Sequence, residues 1–135
     1  MGVPYNLAIS EKKKKHQETL RVNISKKKVS ISARIFKFRD KDTRQITYYI
    51  PSLELTGYGA TDAKAMEMLN FSIDELFTFF TQLSQKQLEL ELSKLGWTQT
   101  TYRKKEYSKA YVDIDGNLKQ FNAVGDEVEQ LTVTV

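Results

Sequence analysis

The amino-acid sequence predicts an α+β chain: an antiparallel sheet of three to five strands with one long helix packed on it. Three observations carry that expectation. Apolar residues alternate with polar ones around residues 20–24, 29–36 and 131–135, the period of half-buried strands. From Ala65 to Leu83 they recur instead at steps of three and four, the period of an amphipathic helix. Charged or proline-bearing turns, such as Asp40 to Arg44 and Pro51-Ser52, separate the runs.

Taken in order, Val3, Tyr5, Leu7 and Ile9 suit a short edge strand, the position where Pro4 is tolerated. The polar run from Ser10 to Gln17 follows. Leu20, Val22 and Ile24 form one side of the next strand, which Lys26, Lys27 and Lys28 end. Val29, Ile31, Ala33 and Ile35 then point one way, and Ser30, Ser32, Arg34 and Phe36 the other. After the charged turn come a strand at Ile46 to Ile50 and a third short one at Leu53 and Leu55. Gly57, Tyr58 and Gly59 read as the turn that closes the sheet and leads into the helix.

Thr61 is placed to cap that helix, and Asp62 sits at its positive end. Its core stripe is Ala65, Leu69, Ile73, Leu76, Phe80 and Leu83. Ser84 with Gln87 resembles a capping box for a short second helix bearing Leu88, Leu92 and Leu95, with Gly96 at its end. Strand patterning returns in the tail at Tyr107 to Ile114, with Asp115-Gly116 as a hairpin turn, and again at Leu131, Val133 and Val135.

Length and composition bound the function. At 135 residues, 40% hydrophobic and 28% charged, the chain fits a single domain, 1–135. With no cysteine it has no disulfide, no zinc-thiolate site and no thiol nucleophile. The start, MGVPYNLAIS, does not have the layout of a signal peptide, and no apolar run reaches the roughly 18 residues of a membrane span. Asn6 stands where a myristoylation signal prefers Ser or Thr. A cytoplasmic location is the default expectation. The net charge of +4 conceals two poles: residues 1–45 carry +9 and residues 46–135 carry −5.

Residues 31–97 resemble the HicB-like antitoxin family. The resemblance rests on the strand Ile31, Ser32, Ala33, Arg34, Ile35 and Phe36, then on Tyr49, Ile50, Pro51, Ser52, Leu53, Glu54 and Leu55. Gly57, Tyr58, Gly59, Ala60, Thr61, Asp62, Ala63, Lys64 and Ala65 follow, and Leu95, Gly96 and Trp97 complete the pattern. About half the chain is covered. The motif residues Gly57, Gly59, Thr61 and Ala65 bend and cap a βββα unit and carry no chemistry. The resemblance implies a truncated RNase H-like core at residues 29–97, with strand-containing extensions at 1–28 and 98–135. It also implies a protein that binds and occludes a small mRNA-cleaving HicA-type toxin. Members of the family often add a C-terminal DNA-binding helical element. Here the residues after Trp97 show strand alternation instead.

No catalytic or metal-ligating set is expected, and no cofactor. Asp40, Asp42, Asp62, Asp74 and Glu75 fall in turns or on the helix away from its core stripe, which leaves only Glu54 within a strand. His16 stands alone in a lysine-rich loop. The chain therefore reads as a binding protein and not an enzyme. Lys12, Lys13, Lys14, Lys15, Lys26, Lys27 and Lys28 are candidate phosphate contacts, or simply a solvated basic face; Arg103, Lys104 and Lys105 lie beside tyrosines further on. The second candidate surface is on the helix. Met68, Phe71 and Phe79 fall outside or at the edge of its core stripe and, with Glu75, form the expected interface for a protein partner or a homodimer or higher oligomer. The alternative function is a HicB-like regulatory domain that binds nucleic acid and has no toxin partner.

Overall fold

The computed structural model describes residues 8–11, 18–100, 105–109 and 129–135. Its elements follow in the order β1 (Ala8–Glu11), β2 (Glu18–Asn23), β3 (Lys28–Arg39), β4 (Ile46–Ile50), β5 (Leu55–Gly59), α1 (Asp62–Gln82), α2 (Gln85–Lys94), β6 (Thr98–Gln99), β7 (Glu106–Lys109) and β8 (Glu129–Thr134). The chain is α+β, as its periodicities predict. All eight strands among the described residues join one antiparallel sheet, where the sequence pattern predicts three to five. Strands from both extensions are thus part of the same sheet as the core. The Asp115-Gly116 hairpin and the continuation of β7 toward Ile114 lie outside the described residues.

The long strand β3 organises the sheet. On one edge it pairs with β8, from Ser32 opposite Thr134 to Lys37 opposite Glu129. The other edge serves two neighbours in succession, β2 along residues 28–32 and β4 along residues 36–39. The sheet therefore forks. One branch runs through β2, β7 and β6; the other is β4 and β5.

Ile31 exchanges both backbone hydrogen bonds with Val135, so odd-numbered residues of β3 turn their amides toward β8. The Arg34 N–H consequently points into the gap between β2 and β4. There the Glu18 carboxylate accepts it at 2.9 Å, standing in for the missing ladder partner. Both residues are buried, with Arg34 Nε 3.6 Å from Glu18 Oε1 and the guanidinium 5.5 Å from the Phe36 ring centroid. A buried charge pair holds the fork because each charge compensates the other. The half-buried Lys109 adds a third charge: its ammonium donates to the Leu95 carbonyl at the end of α2, and burial lowers its pKa.

Val29, Ile31, Ala33 and Ile35 share one buried face of β3, joining Leu20 and Val22 of β2 in the main core. The alternate side was expected to be the more polar, yet Arg34 and Phe36 on it are buried too. Helix α1 closes the core from above. Thr61 is its N-cap and accepts from the Lys64 amide at 3.2 Å. The face that goes inward is Ala65, Leu69, Ile73, Phe77 and Phe80, each at most 1% exposed. Burial of one such large side chain contributes about 1.5–3 kcal/mol. Helix α2 begins with the predicted Ser84–Gln87 capping box, buries Leu88 and Leu92, and is followed by Gly96 at φ 92°.

The glycine pair behaves differently from its sequence reading. Gly57, Tyr58 and Gly59 lie inside β5 and do not form a turn, and neither glycine has a left-handed φ. What they supply is space. A Cβ on Gly57 would lie 2.5 Å from the Ala65 carbonyl oxygen and 2.6 Å from the Leu69 amide nitrogen. One on Gly59 would lie 2.7 Å from the Lys64 Cβ. With Ala65 opposite, the helix backbone rests almost directly on β5.

Candidate functional site

Close seating of α1 on β5 commits one side of the helix to the core and fixes what the other presents. At 100° per residue, Phe71 points opposite Ile73, and it is 50% exposed. Phe79 is 42% exposed, two turns further along and about 12 Å away by helix rise. Its ring leans on that of Phe80, centroids 6.1 Å apart, so Phe79 is anchored at the core's margin while Phe71 stands free of it. Glu67, Asp74 and Glu75 lie one turn from Phe71, and Glu75 falls between the two aromatics. The outer face is an aromatic stripe edged with carboxylates.

Met68 belongs to this surface only in part. It is half-buried, and its sulfur accepts the Tyr58 N–H at 3.4 Å. Since β5 pairs only with β4 among the described residues, this contact covers a backbone donor that no described strand takes up. Tyr58 itself is 49% exposed, but its side chain stands on the face of β5 opposite Gly57 and Gly59, away from α1. The sequence reading missed Tyr58 because it was assigned to a turn. It also missed Leu90, exposed on α2, whose spacing matches neither Leu88 nor Leu92 on the inward face.

The helix carrying the stripe is held at its N-terminus. Asp62 Oδ1 accepts from the Tyr48 hydroxyl at 3.0 Å and lies 3.0 Å from Lys37 Nζ, joining α1 to β4 and β3. The Lys37 ammonium holds the Asp62 carboxyl below its ordinary pKa, and the Lys37 pKa is raised in return. Tyr48 is pushed up, first by burial and then by its bond to Asp62.

The basic candidates fall elsewhere. Lys12 to Lys15 and His16 lie outside the described residues. Lys26, Lys27 and Lys28 are exposed where β2 turns into β3. Asn23 Oδ1 fixes that turn by accepting from the Ser25 hydroxyl at 2.9 Å and the Lys26 amide at 3.2 Å. The carboxylates do not converge. Asp40 is used within its own turn by Asp42 and Thr43, and Asp62 by Lys37 and Tyr48. Among the described residues no three of His, Cys, Asp and Glu are grouped to hold a metal ion. No described helix is long and apolar enough to cross a membrane.

What the described residues present on the outer face of α1 is an exposed aromatic strip edged with carboxylates. No family model, curated protein or solved structure matches the chain.

Proposed function

We propose that this chain is a protein-binding module of the HicB-like antitoxin type, whose α1 outer face binds and occludes a small, basic, mRNA-cleaving HicA-type toxin. One observation supports the reading above the rest: Phe71, half exposed on a helix otherwise well packed, has three carboxylates within a turn of it. An aromatic ringed by acids suits a basic protein surface, since the ring supplies contact area and the carboxylates select the partner by charge. A ribonuclease that grips RNA is itself basic. Occlusion needs about 800 Å² on each partner and no catalytic group on this one.

The test is co-expression with the product of a short, basic reading frame adjacent to this one. Co-purification and relief of that product's toxicity are expected. Phe71→Ser with Glu75→Lys should weaken the complex at least tenfold, about 1.4 kcal/mol, without unfolding the chain. Failure of the wild-type chain to bind any such product would sink the proposal. Sedimentation of the isolated chain measures separately whether the same stripe joins two copies into a homodimer. The alternative, a HicB-like nucleic-acid-binding regulator without a toxin, is supported by the exposed lysines at the β2–β3 turn. It requires RNA or DNA binding that weakens steeply with salt.

A further inference from the structure

Among the described residues β5 pairs with β4 alone, and the register of β3, β4 and β5 fixes which of its backbone groups look outward. The amides of Phe36 and Phe38 turn away from β8, toward Tyr49 and Thr47 of β4. Ile46, Tyr48 and Ile50 therefore bond in the other direction, to Gly59, Gly57 and Leu55 of β5. That leaves the N–H and C=O groups of Thr56 and Tyr58 facing away from the sheet, and both residues are exposed. The Tyr58 N–H meets the Met68 sulfur, and no described group takes up the N–H of Thr56. A thioether is a weak acceptor, so a carbonyl brought to this edge would replace it with a stronger one.

Met68 also shows which flank of α1 overhangs the edge. At 100° per residue Ser72, Glu75 and Phe79 follow it on the same side of the helix. Met68 and Ser72 are half-buried, while Glu75 and Phe79 are exposed. Because α1 passes Gly59 at Lys64 and Gly57 at Leu69, it runs back along β5, and Glu75 falls toward the Leu55 end. Glu54, exposed in the turn before β5, adds a second carboxylate at that end; Lys64 marks the other. Glu75 has no ion-pair partner among the described residues. Edge and flank form a channel with a hydrogen-bonding floor and a wall that is apolar at Met68 and acidic beyond it.

We propose that this channel takes up an extended segment of another polypeptide as an added strand, bonded to the backbone of Thr56 and Tyr58. An apolar residue of the segment, opposite Gly57, turns to the α1 side and meets Met68; a lysine or arginine lies at the Glu54 and Glu75 end. Residues opposite Thr56 and Tyr58 fall on the far face, where the exposed Tyr58 ring offers a cross-strand pair. A second copy of this chain does not fit. Closed pairing of β5 with itself is antiparallel, and its two-fold axis sets both α1 helices on one face of the joined sheet. The strands would stand about 4.8 Å apart, whereas packed helices need about 8–10 Å between axes, and α1 lies directly over β5. A lone strand brings no helix with it. The inference goes beyond the toxin reading and needs neither Phe71 nor a toxin.

The test is titration of the ¹⁵N-labelled full chain with two acetylated and amidated peptides, STVTVTK and KTVTVTS, which carry their lysine at opposite ends. At least one should bind saturably, with a Kd below about 1 mM, shift the Thr56 and Tyr58 amides and slow hydrogen exchange at Thr56. The tighter one gives the direction of the added strand. Proline in place of its central threonine should weaken binding at least tenfold, and glutamate in place of its lysine at least threefold. Thr56→Pro should abolish binding and leave the chain folded, because its N–H takes no part in the β4–β5 ladder. Glu75→Lys, at an exposed position, should weaken the lysine peptide and strengthen its glutamate counterpart; it keeps the test alive if the proline variant misfolds in a thermal melt. Absence of saturable binding to the wild-type chain, a proline peptide that binds as tightly as its parent, binding that survives Thr56→Pro, or a dimer that Thr56→Pro dissociates would each overturn the proposal.

Discussion

Four phenylalanines on α1 meet opposite fates. Phe77 and Phe80 are buried completely or nearly so, while Phe71 and Phe79 keep about half of their surfaces in solvent. All four occupy one helix within ten residues, so neither hydrophobicity nor helix propensity separates them. Their angle around the axis relative to β5 does. The inward face is under constraint from a backbone-to-backbone approach at Gly57; the outward face meets no described element. The difference teaches that this helix has a folding side and a solvent side, and that substitutions on the two should report on different measurements.

The strongest way to break the comparison is to lift the helix. Gly57→Ala places a methyl 2.5 Å from a carbonyl oxygen and 2.6 Å from an amide nitrogen, and neither backbone atom can rotate away. Gly57→Ala should cost about 4 kcal/mol or more, at the extreme of single substitutions, and so leave the chain largely unfolded by circular dichroism. A cooperative, near-native urea transition for this variant would show that α1 does not sit as closely as described. Next comes Phe77→Ala, which removes a ring from a site with no exposed surface. A loss of about 3–5 kcal/mol is expected in urea denaturation, through lost transfer energy and the cavity left behind.

These two positions also mark what the sequence made legible. Alternation located β2, β3 and β4, step-three-and-four spacing located α1, and residue type located its N-cap at Thr61, because each is a local pattern with a local cause. Phe71 was readable as misplaced for the same reason. Phe77 was not, since it falls about 90° from the centre of the predicted stripe, near which Leu76 lies, and only packing turns the inward face toward it. Gly57 and Gly59 were mistaken for a turn because glycine signals both a bend and a close approach, and the difference depends on α1 lying across them. The Glu18–Arg34 fork had no signal at all. It exists because β2 and β4 share one edge of β3, a long-range fact that no window of residues contains.

Smaller effects are expected at the N-terminus of α1, which serves both faces equally. Thr61→Ala removes the oxygen that accepts the Lys64 amide and should cost about 1 kcal/mol. Asp62 adds a dependence on pH. Its folded pKa lies below the unfolded value, chiefly through Lys37, so its stabilisation is present above about pH 4 and is lost as pH falls through the folded value. The side chain is 56% exposed, so solvent screening holds the contribution to a few tenths of a kcal/mol. Asp62→Asn should flatten the acid limb of the stability curve below about pH 4. An unchanged acid limb would show that the Lys37 contact does not persist in solution.

The smallest expected effect on folding is the most informative about function. Phe71→Ser replaces a half-exposed ring with no buried neighbour of its own kind, and urea stability should stay within about 0.5 kcal/mol of the parent. Removing apolar surface from solvent contact should also leave the chain at least as soluble as before. If Phe71 instead packs against another part of the chain in solution, the same substitution will lower stability by an amount approaching that at Phe77, and the outward face will have to be counted as core. Unchanged stability together with loss of partner binding would separate the two sides of the helix cleanly, because a residue that does nothing for the fold yet decides binding has no other reason to be an aromatic among acids.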